Sequence, residues 1–502
     1  MINFFIVIIV SLFAFWPVFS ASFLQFDDPQ HVMANPAVIA SLPGSLQHIF
    51  TQSVNKIYLP LSTLSFALEK QFFGFNPFIF HLDNVLLHFA VMIILFFLLK
   101  RWGLKPRVAM LTILIFAIHP MKVESVAWVT ERKDVLYALF YTLSLFTYTR
   151  YVQKRSYGSY GTAVLFALLS ILSKPMALSL PLILCLLDWY LRRGFNFKTA
   201  LDKIPFVIIV GGIGWITYAQ NIRNPINDAG TSMLIWIWSC SFYVWKFFFP
   251  LNVYAFYKLP QPVTLYSWEY GLSVAFFFLL ILCLLLWRHR RMFVLAGGYF
   301  LFSIFFLLRF DIGADSSVVN DRFMYLPGLG FCILLGILFH DLCRSRMGRV
   351  FITILIVSLA MKTHQQCRVW QNTLSFYNEV IHTYPDAFTG YNNRAHLYYS
   401  AGQLPLALAD YNKAIELSPN FARNYIGRGT IYGMLNDHLK AIEDFSTAVR
   451  IDPVLAEGYF NRSIAENALE LYQASLDDAE HSLKLGIPVP AAFLEALRAK
   501  TK

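Results

Sequence analysis

Two adjacent carboxylates, Asp27 and Asp28, directly follow the first apolar run of the chain. They lie in the sequence Phe26-Asp27-Asp28-Pro29, where an apolar helix gives way to a loop. A carboxylate beside a hydroxyl group can act as a general base, because it accepts the proton that the hydroxyl loses. Asp-Asp-Pro is equally typical of a polar turn that only ends a helix. The residues alone leave both interpretations open.

Further ionisable residues interrupt the apolar sequence. Charges at a membrane are costly and often functional, so these residues are candidates for a site. Each also has a structural alternative: acids favour helix N-termini, His119 can simply pack, Lys174 can extend to the membrane interface, and Asp321 can cap a helix. The groups are His119-Pro120-Met121-Lys122-Val123-Glu124, Glu131-Arg132-Lys133-Asp134, Ser173-Lys174-Pro175 and Asn320-Asp321-Arg322.

Together these side chains form a coherent chemical set. Acids can take a proton from an acceptor hydroxyl, and arginine or lysine can neutralise a phosphate leaving group. Transfer of a sugar from a polyprenyl phosphate needs both functions. Because the tail of such a donor lies in the bilayer, the site is expected to open sideways between membrane helices.

The histidines and cysteines show no metal-binding pattern. His31, His81 and His88 are metal-ligand types, but they lack HxxxH or HExxH spacing. The six cysteines contain no CxxC pair, so neither a zinc site nor a disulfide framework is indicated. We predict no metal ligands and no certain cofactor, and a requirement for a divalent ion stays open.

The composition is that of a membrane protein with a soluble part. Of the 502 residues, 57% are hydrophobic and 14% are charged, well below the roughly 25% charged residues of a soluble domain. Residues 1–361 are mostly apolar, whereas 370–502 have the composition of a soluble helical domain. The formal charge of +11 does not indicate nucleic-acid binding, because the basic residues fall in short clusters between apolar runs.

About eleven apolar runs approach the length needed to cross roughly 30 Å of hydrocarbon as helices. The first run lacks a basic start, so we interpret it as an uncleaved helix rather than a signal peptide. The predicted spans are 2–20, 82–99, 108–120, 134–151, 161–173, 175–191, 204–220, 268–287, 292–308, 322–340 and 350–363.

Basic clusters follow the even-numbered spans, at 100–107, 150–155, 192–203, 288–291 and 344–349. Lysine and arginine favour the inner side, which places the N-terminus inside and the two acids outside. Residues 232–250 do not fit this count. We interpret them as an interfacial or re-entrant element on the outer side, with a twelfth span as the alternative. The residues that suit an aromatic belt there are Trp236, Trp238, Tyr243, Trp245 and Lys246.

A repeat of 34 residues follows, marked by Pro385, Pro419 and Pro453. It is the tetratricopeptide pattern, in which each repeat is a helix pair. Alanines let the paired helices approach, and aromatic residues fill the gap between them. The aligned positions are Tyr391, Tyr425 and Tyr459; Tyr398 and Tyr432; Ala407 and Ala441; Tyr411 and Phe445; and Ala414 and Ala448.

The predicted fold is all-α, a polytopic membrane bundle followed by an α-solenoid. Residues 1–363 form the transmembrane domain, and 364–502 form the repeat domain on the outer side. Residues 370–384 are expected to be the second helix of a partial leading repeat. The degenerate third repeat, 456–489, carries Ser475 and Ala479 at the pattern positions, which suits a terminal cap.

Several motifs resemble the GT-C glycosyltransferases that carry tetratricopeptide repeats. The nearest relatives by this resemblance are the transmembrane and tetratricopeptide repeat-containing O-mannosyltransferases and their bacterial counterparts. The resemblance runs nearly end to end. The motifs are Phe26-Asp27-Asp28, Tyr58-Leu59-Pro60-Leu61-Ser62, His119-Pro120, Val123-Glu124-Ser125-Val126-Ala127-Trp128, Glu131-Arg132-Lys133-Asp134, Ser173-Lys174-Pro175-Met176-Ala177 and Asp321-Arg322-Phe323-Met324-Tyr325-Leu326-Pro327.

This resemblance implies an inverting glycosyltransferase that moves a sugar from a polyprenyl-phosphate donor to a Ser or Thr hydroxyl of a protein. It implies a bacterial inner membrane location, with the active site and the repeats on the periplasmic or lumenal side, and repeats that bind the acceptor. Asp27 takes the catalytic place by this alignment, and Asp28 is the alternative base that activates the acceptor. The remaining roles are orientation or tuning by Glu124 and Glu131, and binding of the donor phosphate by Arg132, Lys133, Lys174 and Arg322.

Other functions stay open from the sequence. The chain can be a membrane-anchored tetratricopeptide-repeat scaffold without catalysis, although two helices would suffice as an anchor. A transporter of the lipid-linked sugar predicts inverted repeats, which this sequence does not show. Within the glycosyltransferase hypothesis, the acceptor can also be a lipid or a glycan.

Overall fold

A computed structural model describes residues 3–220, 227–251, 253–254, 256–287, 290–308 and 318–501. Within these residues the regular structure is helical, and the extended pairing is an isolated bridge between Val54 and Ile57. The predicted all-α class with a C-terminal repeat region is confirmed. Residues 288 and 289, half of one predicted basic cluster, lie outside the described part of the chain.

The chain forms two compact units, Met1–Asn372 and Thr373–Lys502. The division falls later than the 363/364 boundary that the sequence predicts. The reason is that the last helix of the first unit, Arg346–Val369, continues past residue 363 without a break. The buried Trp370 after it stacks on Trp128, with ring centroids 5.3 Å apart, and this contact keeps the helix end within the first unit.

The described part of the first unit contains seventeen α-helices. Several begin at a proline, which suits a first turn because the N–H that proline lacks would have no partner within the helix there. The helices are α1 (Phe4–Phe15), α2 (Pro36–Ile39), α3 (Leu46–Thr51), α4 (Pro60–Phe73), α5 (Pro77–Arg101), α6 (Pro106–Ile118), α7 (Val123–Ala127), α8 (Arg132–Lys154), α9 (Tyr157–Ser173), α10 (Leu180–Tyr190), α11 (Phe197–Leu201), α12 (Ile204–Ala219), α13 (Ala229–Phe248), α14 (Trp268–Leu286), α15 (Arg291–Ser303), α16 (Leu329–Leu342) and α17 (Arg346–Val369).

The long apolar helices are compatible with a membrane part. Among the described residues, four helical segments are long and apolar enough to cross a bilayer, namely α5, α11 with α12, α14 and α17. A fifth results if α6 and the segment Pro120–Ala127 form one span that bends by 66°. The predicted count of eleven spans is not confirmed. Shorter apolar segments of 10–17 residues are Phe4–Ser20, Tyr157–Ser173, Pro175–Tyr190, Arg291–Leu307 and Leu329–Leu342.

Most of the segment predicted to be interfacial or re-entrant, 232–250, lies in one unbroken helix, α13, which ends at Phe248. Its aromatic residues differ in their surroundings. Trp245 is exposed, whereas Trp238 and Tyr243 are buried in the protein. The Tyr243 hydroxyl donates to the carbonyl oxygen of Asn320 at 3.0 Å. These two aromatic residues therefore stabilise the fold and do not form an interfacial belt.

Close packing of α6 against α16 positions the chain segments that carry the charged residues. Gly336 allows this approach, because a Cβ there would lie 2.2 Å from the Thr112 hydroxyl. Beyond α6, the buried Lys122 donates to the carbonyl oxygens of Met324 at 2.5 Å and Tyr325 at 2.8 Å. These bonds hold the turn that follows Asn320 against α7.

The second unit contains eight α-helices among its described residues, arranged as α18, three helix pairs and a final helix. As predicted, the leading helix covers most of 370–384. The helices are α18 (Thr373–Thr383), α19 (Phe388–Ser400), α20 (Leu404–Leu417), α21 (Ala422–Met434), α22 (His438–Ile451), α23 (Ala456–Ala468), α24 (Tyr472–Lys484) and α25 (Ala491–Lys500).

The small and aromatic repeat positions form the seams between these helices. Ala441 is fully buried, and Tyr425 is partly buried against the same cluster. In the third repeat the buried Ser475 donates to the carbonyl oxygen of Ser463 at 2.7 Å, which satisfies its hydroxyl within the seam. After this repeat, Leu494 and Leu497 of α25 pack on the buried Ala479.

An arginine–aspartate pair recurs in each repeat, a regularity that the sequence interpretation missed. Each arginine binds the aspartate sixteen residues later through two nitrogen–oxygen contacts. Both partners recur in the sequence every 34 residues, and this regularity could have predicted the pairs. The pairs are Arg394 with Asp410, Arg428 with Asp444, and Arg462 with Asp478.

Candidate functional site

Asp28 is fully buried, and both of its carboxylate oxygens are hydrogen-bonded. Oδ2 accepts from the backbone N–H of Leu24 at 2.7 Å. Oδ1 accepts from the indole of Trp128 at 3.0 Å and from the backbone and hydroxyl of Thr130 at 3.1 and 2.5 Å. Burial raises the pKa of Asp28 to about 6, although these hydrogen bonds oppose the increase. Its role in the structure is to anchor the first loop to the 128–130 segment.

Asp27 has a different environment from its neighbour. It is only partly buried, and within the described part of the chain its carboxylate accepts no hydrogen bond. Burial raises its pKa, while the charges of Lys133 and Arg322 lower it and that of Glu131 raises it. Asp27 is therefore the acid of the pair that remains accessible, and it lies within electrostatic range of several candidate residues.

Glu131 lies at the centre of the charged residues. It is almost completely buried and contacts Lys133 at 3.0 Å, Lys174 at 3.0 Å and the Arg322 Nε at 3.5 Å. Burial by itself would raise the pKa of Glu131, but these three cations hold it well below its usual range. Glu131 is therefore ionised and keeps three cations together that are far apart in the sequence.

Two further acids complete this group. Glu124 accepts the backbone N–H of Arg322 at 2.9 Å and pairs with its guanidinium. Asp134 binds Lys174 at 2.6 Å and accepts the hydroxyl of Ser125 at 3.0 Å. Asp134 ends the motif Glu131-Arg132-Lys133-Asp134, and the sequence predicted no catalytic or binding role for it. We call Glu124, Glu131, Lys133, Asp134, Lys174 and Arg322 the charged cluster.

Arg132 does not join the charged cluster, although the sequence predicts a phosphate-binding role for it. Its guanidinium pairs with Glu69, donates to the Asn84 side chain at 2.9 Å and to the Phe80 carbonyl at 2.8 Å, and lies over the Phe66 ring. Consecutive residues of a helix point about 100° apart, so Lys133 reaches the cluster and Arg132 cannot. Arg132 instead fixes α8 to α4 and α5.

The charged cluster is balanced, with three acids and three cations. An anion therefore gains most from a cation that still has unused donors. Arg322 is the best candidate, because its side chain is 21% exposed, against 9% for Lys133 and Lys174. Its contacts to Glu124 and Glu131 use Nη1 and Nε, and among the described residues Nη2 has no hydrogen-bond acceptor.

A polar cavity of about 230 Å³ lies beside the loop that carries the two acids. Its walls include Gln30, Asn35, Gln52, Asn55 and His48. The Asn55 amide donates to the Gln30 side chain at 2.6 Å. Carboxamides both donate and accept hydrogen bonds, so this lining suits a neutral polar ligand rather than an ion.

The candidate metal ligands from the sequence are dispersed. Among the described residues, no group of three or more His, Cys, Asp or Glu side chains is arranged to hold a metal ion. His88 instead contacts the Tyr325 hydroxyl at 2.7 Å and the Ala117 carbonyl at 3.2 Å. His31 is buried near the charge of Lys133. Both effects lower its pKa to about 3, so its imidazole is neutral.

Fold and site together define a helical membrane protein that carries a buried charged cluster and a tetratricopeptide-repeat domain. Residues 389–421 and 422–454 each match a family model described as tetratricopeptide repeat. A solved tetratricopeptide-repeat domain, Arabidopsis OM64, is 25% identical and covers 23% of this chain and 96% of its own, with a TM-score of 0.22.

Among curated proteins the chain is similar to protein O-mannosyl-transferases. One from Caenorhabditis elegans is 24% identical over 440 residues, covering 80% of this chain and 60% of the relative. Protein O-mannosyl-transferase TMTC1 of Homo sapiens is 26% identical over 422 residues, covering 69% of this chain and 46% of the relative. The predicted resemblance to the repeat-containing O-mannosyltransferases is confirmed. The chain spans less than two thirds of the length of these relatives.

Proposed function

We propose that this protein is an inverting glycosyltransferase that moves a sugar from a polyprenyl-phosphate donor to a Ser or Thr hydroxyl of a protein. The observation that carries the proposal is that Asp27, whose carboxylate accepts no hydrogen bond from the described residues, lies within electrostatic range of the cations Lys133 and Arg322. The O-mannosyl-transferase relatives make mannose the first sugar to test. The reaction takes place on the outer, periplasmic or lumenal side of the bacterial inner membrane.

Asp27 acts as the general base in this proposal. The acceptor oxygen attacks the anomeric carbon as its proton passes to the Asp27 carboxylate, and the bond from that carbon to the phosphate oxygen breaks. The phosphate leaves with the electron pair, so one displacement inverts the anomeric configuration. Asp28 is unsuitable as the base, because its oxygens already accept four hydrogen bonds. It positions the loop that carries Asp27.

Arg322 binds the donor phosphate through its unused Nη2, and Lys133 and Lys174 supply further positive charge nearby. Nη2 carries two N–H donors, and hydrogen bonds from a charged guanidinium to a phosphate are short and strong. Glu124 and Glu131 orient these cations. Arg132 is assigned no contact with the donor, since Glu69, Asn84 and Phe80 occupy its guanidinium.

The polar cavity next to the acids offers carboxamides for sugar hydroxyls or for the backbone of an acceptor peptide. The repeat domain is the proposed site for the remainder of the acceptor, because stacked helix pairs form extended binding surfaces.

The experiment compares the two acids in the full chain reconstituted into vesicles with polyprenyl-phosphate mannose and a Ser- and Thr-containing peptide. Asp27→Asn keeps the shape and polarity of the side chain and removes the base, so turnover should fall by about 10²- to 10⁴-fold. Donor binding should be nearly unchanged, because Asp27 makes no favourable contact with a phosphate.

Asp28→Asn is the matched control, because it should lower the melting temperature while the fraction that stays folded retains activity. Loss of transfer in Asp28→Asn at an unchanged melting temperature would move the base to the neighbouring residue. If both variants transfer sugar at the wild-type rate, the enzyme assignment is wrong and the anchored repeat scaffold becomes the better hypothesis.

A further inference from the structure

A second ionic site lies in the first unit, away from the charged cluster. A cavity of about 340 Å³ is formed where α10 ends, with walls that include Arg192, Arg193, Lys203 and Arg291. Lys203 in the cavity wall donates to the hydroxyl of Tyr148, which lies in α8 fourteen residues after Asp134. At 1.5 Å per residue that separation is about 21 Å along the helix, so the cavity and the charged cluster occupy opposite ends of α8.

The chain turn after α10 places the two consecutive arginines. The N–H of Arg193 donates to the Asp188 carbonyl at 2.9 Å, and the N–H of Arg192 donates to the Trp189 carbonyl at 3.2 Å. This is the double hydrogen bond of a Schellman turn. Such a turn requires one residue in the left-handed backbone conformation, and Arg192 adopts it with a φ of 60°. Both arginines are therefore fixed to a stable helix end.

Two of the four cations are already neutralised within the protein. Lys203 binds Asp188 at 2.5 Å and donates to the Tyr148 hydroxyl at 2.6 Å. Arg193 pairs with Asp202, and Tyr151 donates to the same carboxylate at 3.0 Å. The first pair is buried and the second is partly buried, and within each pair the charges cancel.

Arg192 and Arg291 carry the positive charge of the cavity that no described carboxylate neutralises. Neither has a carboxylate partner among the described residues. Arg291 donates to the Tyr190 carbonyl at a long 3.4 Å and lies over the Trp189 ring. The cavity therefore carries two uncompensated positive charges, which attract an anionic phosphate group.

The surroundings of the cavity are those of a membrane interface. Phe195 and Phe197 are 88% and 78% exposed, and Trp189 is 41% exposed. Aromatic rings at helix ends beside arginine are typical of the headgroup region of a bilayer. Basic cavities between membrane helices bind anionic lipid headgroups.

We propose that this cavity binds a phosphate group, and that its source is the headgroup of an anionic phospholipid. Arg192 and Arg291 contact the phosphate, the paired wall of Arg193 and Lys203 holds the cavity open, and the exposed aromatic residues lie against the acyl chains. A free phosphate ion offers the same charge without the chains, so the two sources are separable by experiment.

The test uses the full chain in detergent micelles and measures binding through the change in melting temperature. The probes are dioleoyl phosphatidylglycerol, dioleoyl phosphatidylcholine and inorganic phosphate. Phosphatidylglycerol should stabilise the wild type, and phosphatidylcholine should do so much less. Arg192→Gln with Arg291→Gln should weaken the apparent affinity for phosphatidylglycerol by about 30-fold, which is about 2 kcal/mol for two arginines near a charged headgroup.

Arg150→Gln is the matched control, because Arg150 is an exposed residue near the same end of α8 and outside the cavity wall. It should leave the affinity unchanged. Replacement of both arginines by lysine should restore most of the binding, which distinguishes a charge effect from misfolding. Binding of inorganic phosphate that depends on Arg192 and Arg291 supports the phosphate site and assigns a soluble source. Equal phosphatidylglycerol affinity in the wild type and the glutamine variant would overturn the proposal.

Discussion

Asp28 and Thr130 are joined twice, because one carboxylate oxygen of Asp28 accepts both the backbone N–H and the hydroxyl of Thr130. The two residues are 102 positions apart in the chain. The contact ties the first loop to the short turn that precedes α8, and α8 carries Lys133 at its start. Adjacent acids therefore have separate roles: Asp28 holds the loop, and Asp27 stays accessible.

The pH dependence of stability should reveal the buried carboxyl of Asp28. Burial raises its pKa from 3.8 to about 6 in the folded protein, so the folded state holds this proton more tightly than the unfolded state. The stabilisation is complete below about pH 4 and is lost as the pH rises through 6. The change is about 3 kcal/mol, since one pKa unit corresponds to about 1.4 kcal/mol.

The measurement is unfolding of the wild type and Asp28→Asn in detergent between pH 4 and 7. The advantage of the wild type should shrink over this range, because the variant does not titrate. At pH 4 the variant should be less stable than the wild type, since the amide nitrogen that replaces Oδ2 cannot accept the Leu24 N–H and leaves it unsatisfied, at about 1–3 kcal/mol. A difference between the two proteins that is the same at every pH would contradict this account.

Arg322→Lys should separate the shape of the cation from its charge. Lysine can still pair with Glu124, so the fold should survive, but it lacks the planar group that donates from Nη2. We expect donor affinity to fall by about tenfold and turnover to fall with it, measured by titration of the polyprenyl-phosphate sugar. Arg344→Lys, at the exposed pair with Asp341, is the control and should change neither quantity.

Arg132→Gln should destabilise the protein without a specific effect on the donor. The change leaves Glu69 buried without its cation, which costs about 3–5 kcal/mol. The folded fraction should bind donor with wild-type affinity, whereas Lys133→Gln should weaken that affinity at a smaller loss of stability. Weaker donor binding by Arg132→Gln, at a normal melting temperature, would restore Arg132 to the phosphate-binding set.

The repeat domain should be sensitive at the seam between its helices. Ala441 is fully buried in α22, and Leu439 in the same helix is 72% exposed. Ala441→Glu places an unpaired charge in the seam at a cost of several kcal/mol, whereas Leu439→Glu should be nearly neutral. Thermal unfolding of the fragment 373–502 tests the pair, and equal melting temperatures for the two variants would disprove the assigned frame.

The orientation in the membrane can be tested by labelling. With the native cysteines replaced by serine, a cysteine at the exposed Asn420 should react with an impermeant reagent added outside intact cells. A cysteine at the exposed Lys154, in a predicted inner basic cluster, should react only after the cells are opened. The reverse pattern would place the proposed active site on the inner side.

Local patterns were sufficient for much of this protein. The apolar runs predicted helices because a bilayer leaves the backbone few alternatives, and a 34-residue period fixed the repeat frame because each helix pair repeats the same small and aromatic contacts. The residues of the charged cluster were named from the sequence for a similar reason: charge in an apolar chain is costly and therefore conspicuous.

Only the tertiary structure decided which of those residues act together. The residue types around them do not distinguish Asp27 from Asp28. Besides the nearby Leu24 N–H, the partners of Asp28 are Trp128 and Thr130, which lie a hundred residues further along the chain. Arg132 and Lys133 are likewise equivalent in sequence, yet helix geometry directs one to Glu69 and the other to Glu131. Long-range packing selects the partners of each charge, and those partners determine whether a charged side chain stabilises the fold or remains available for chemistry.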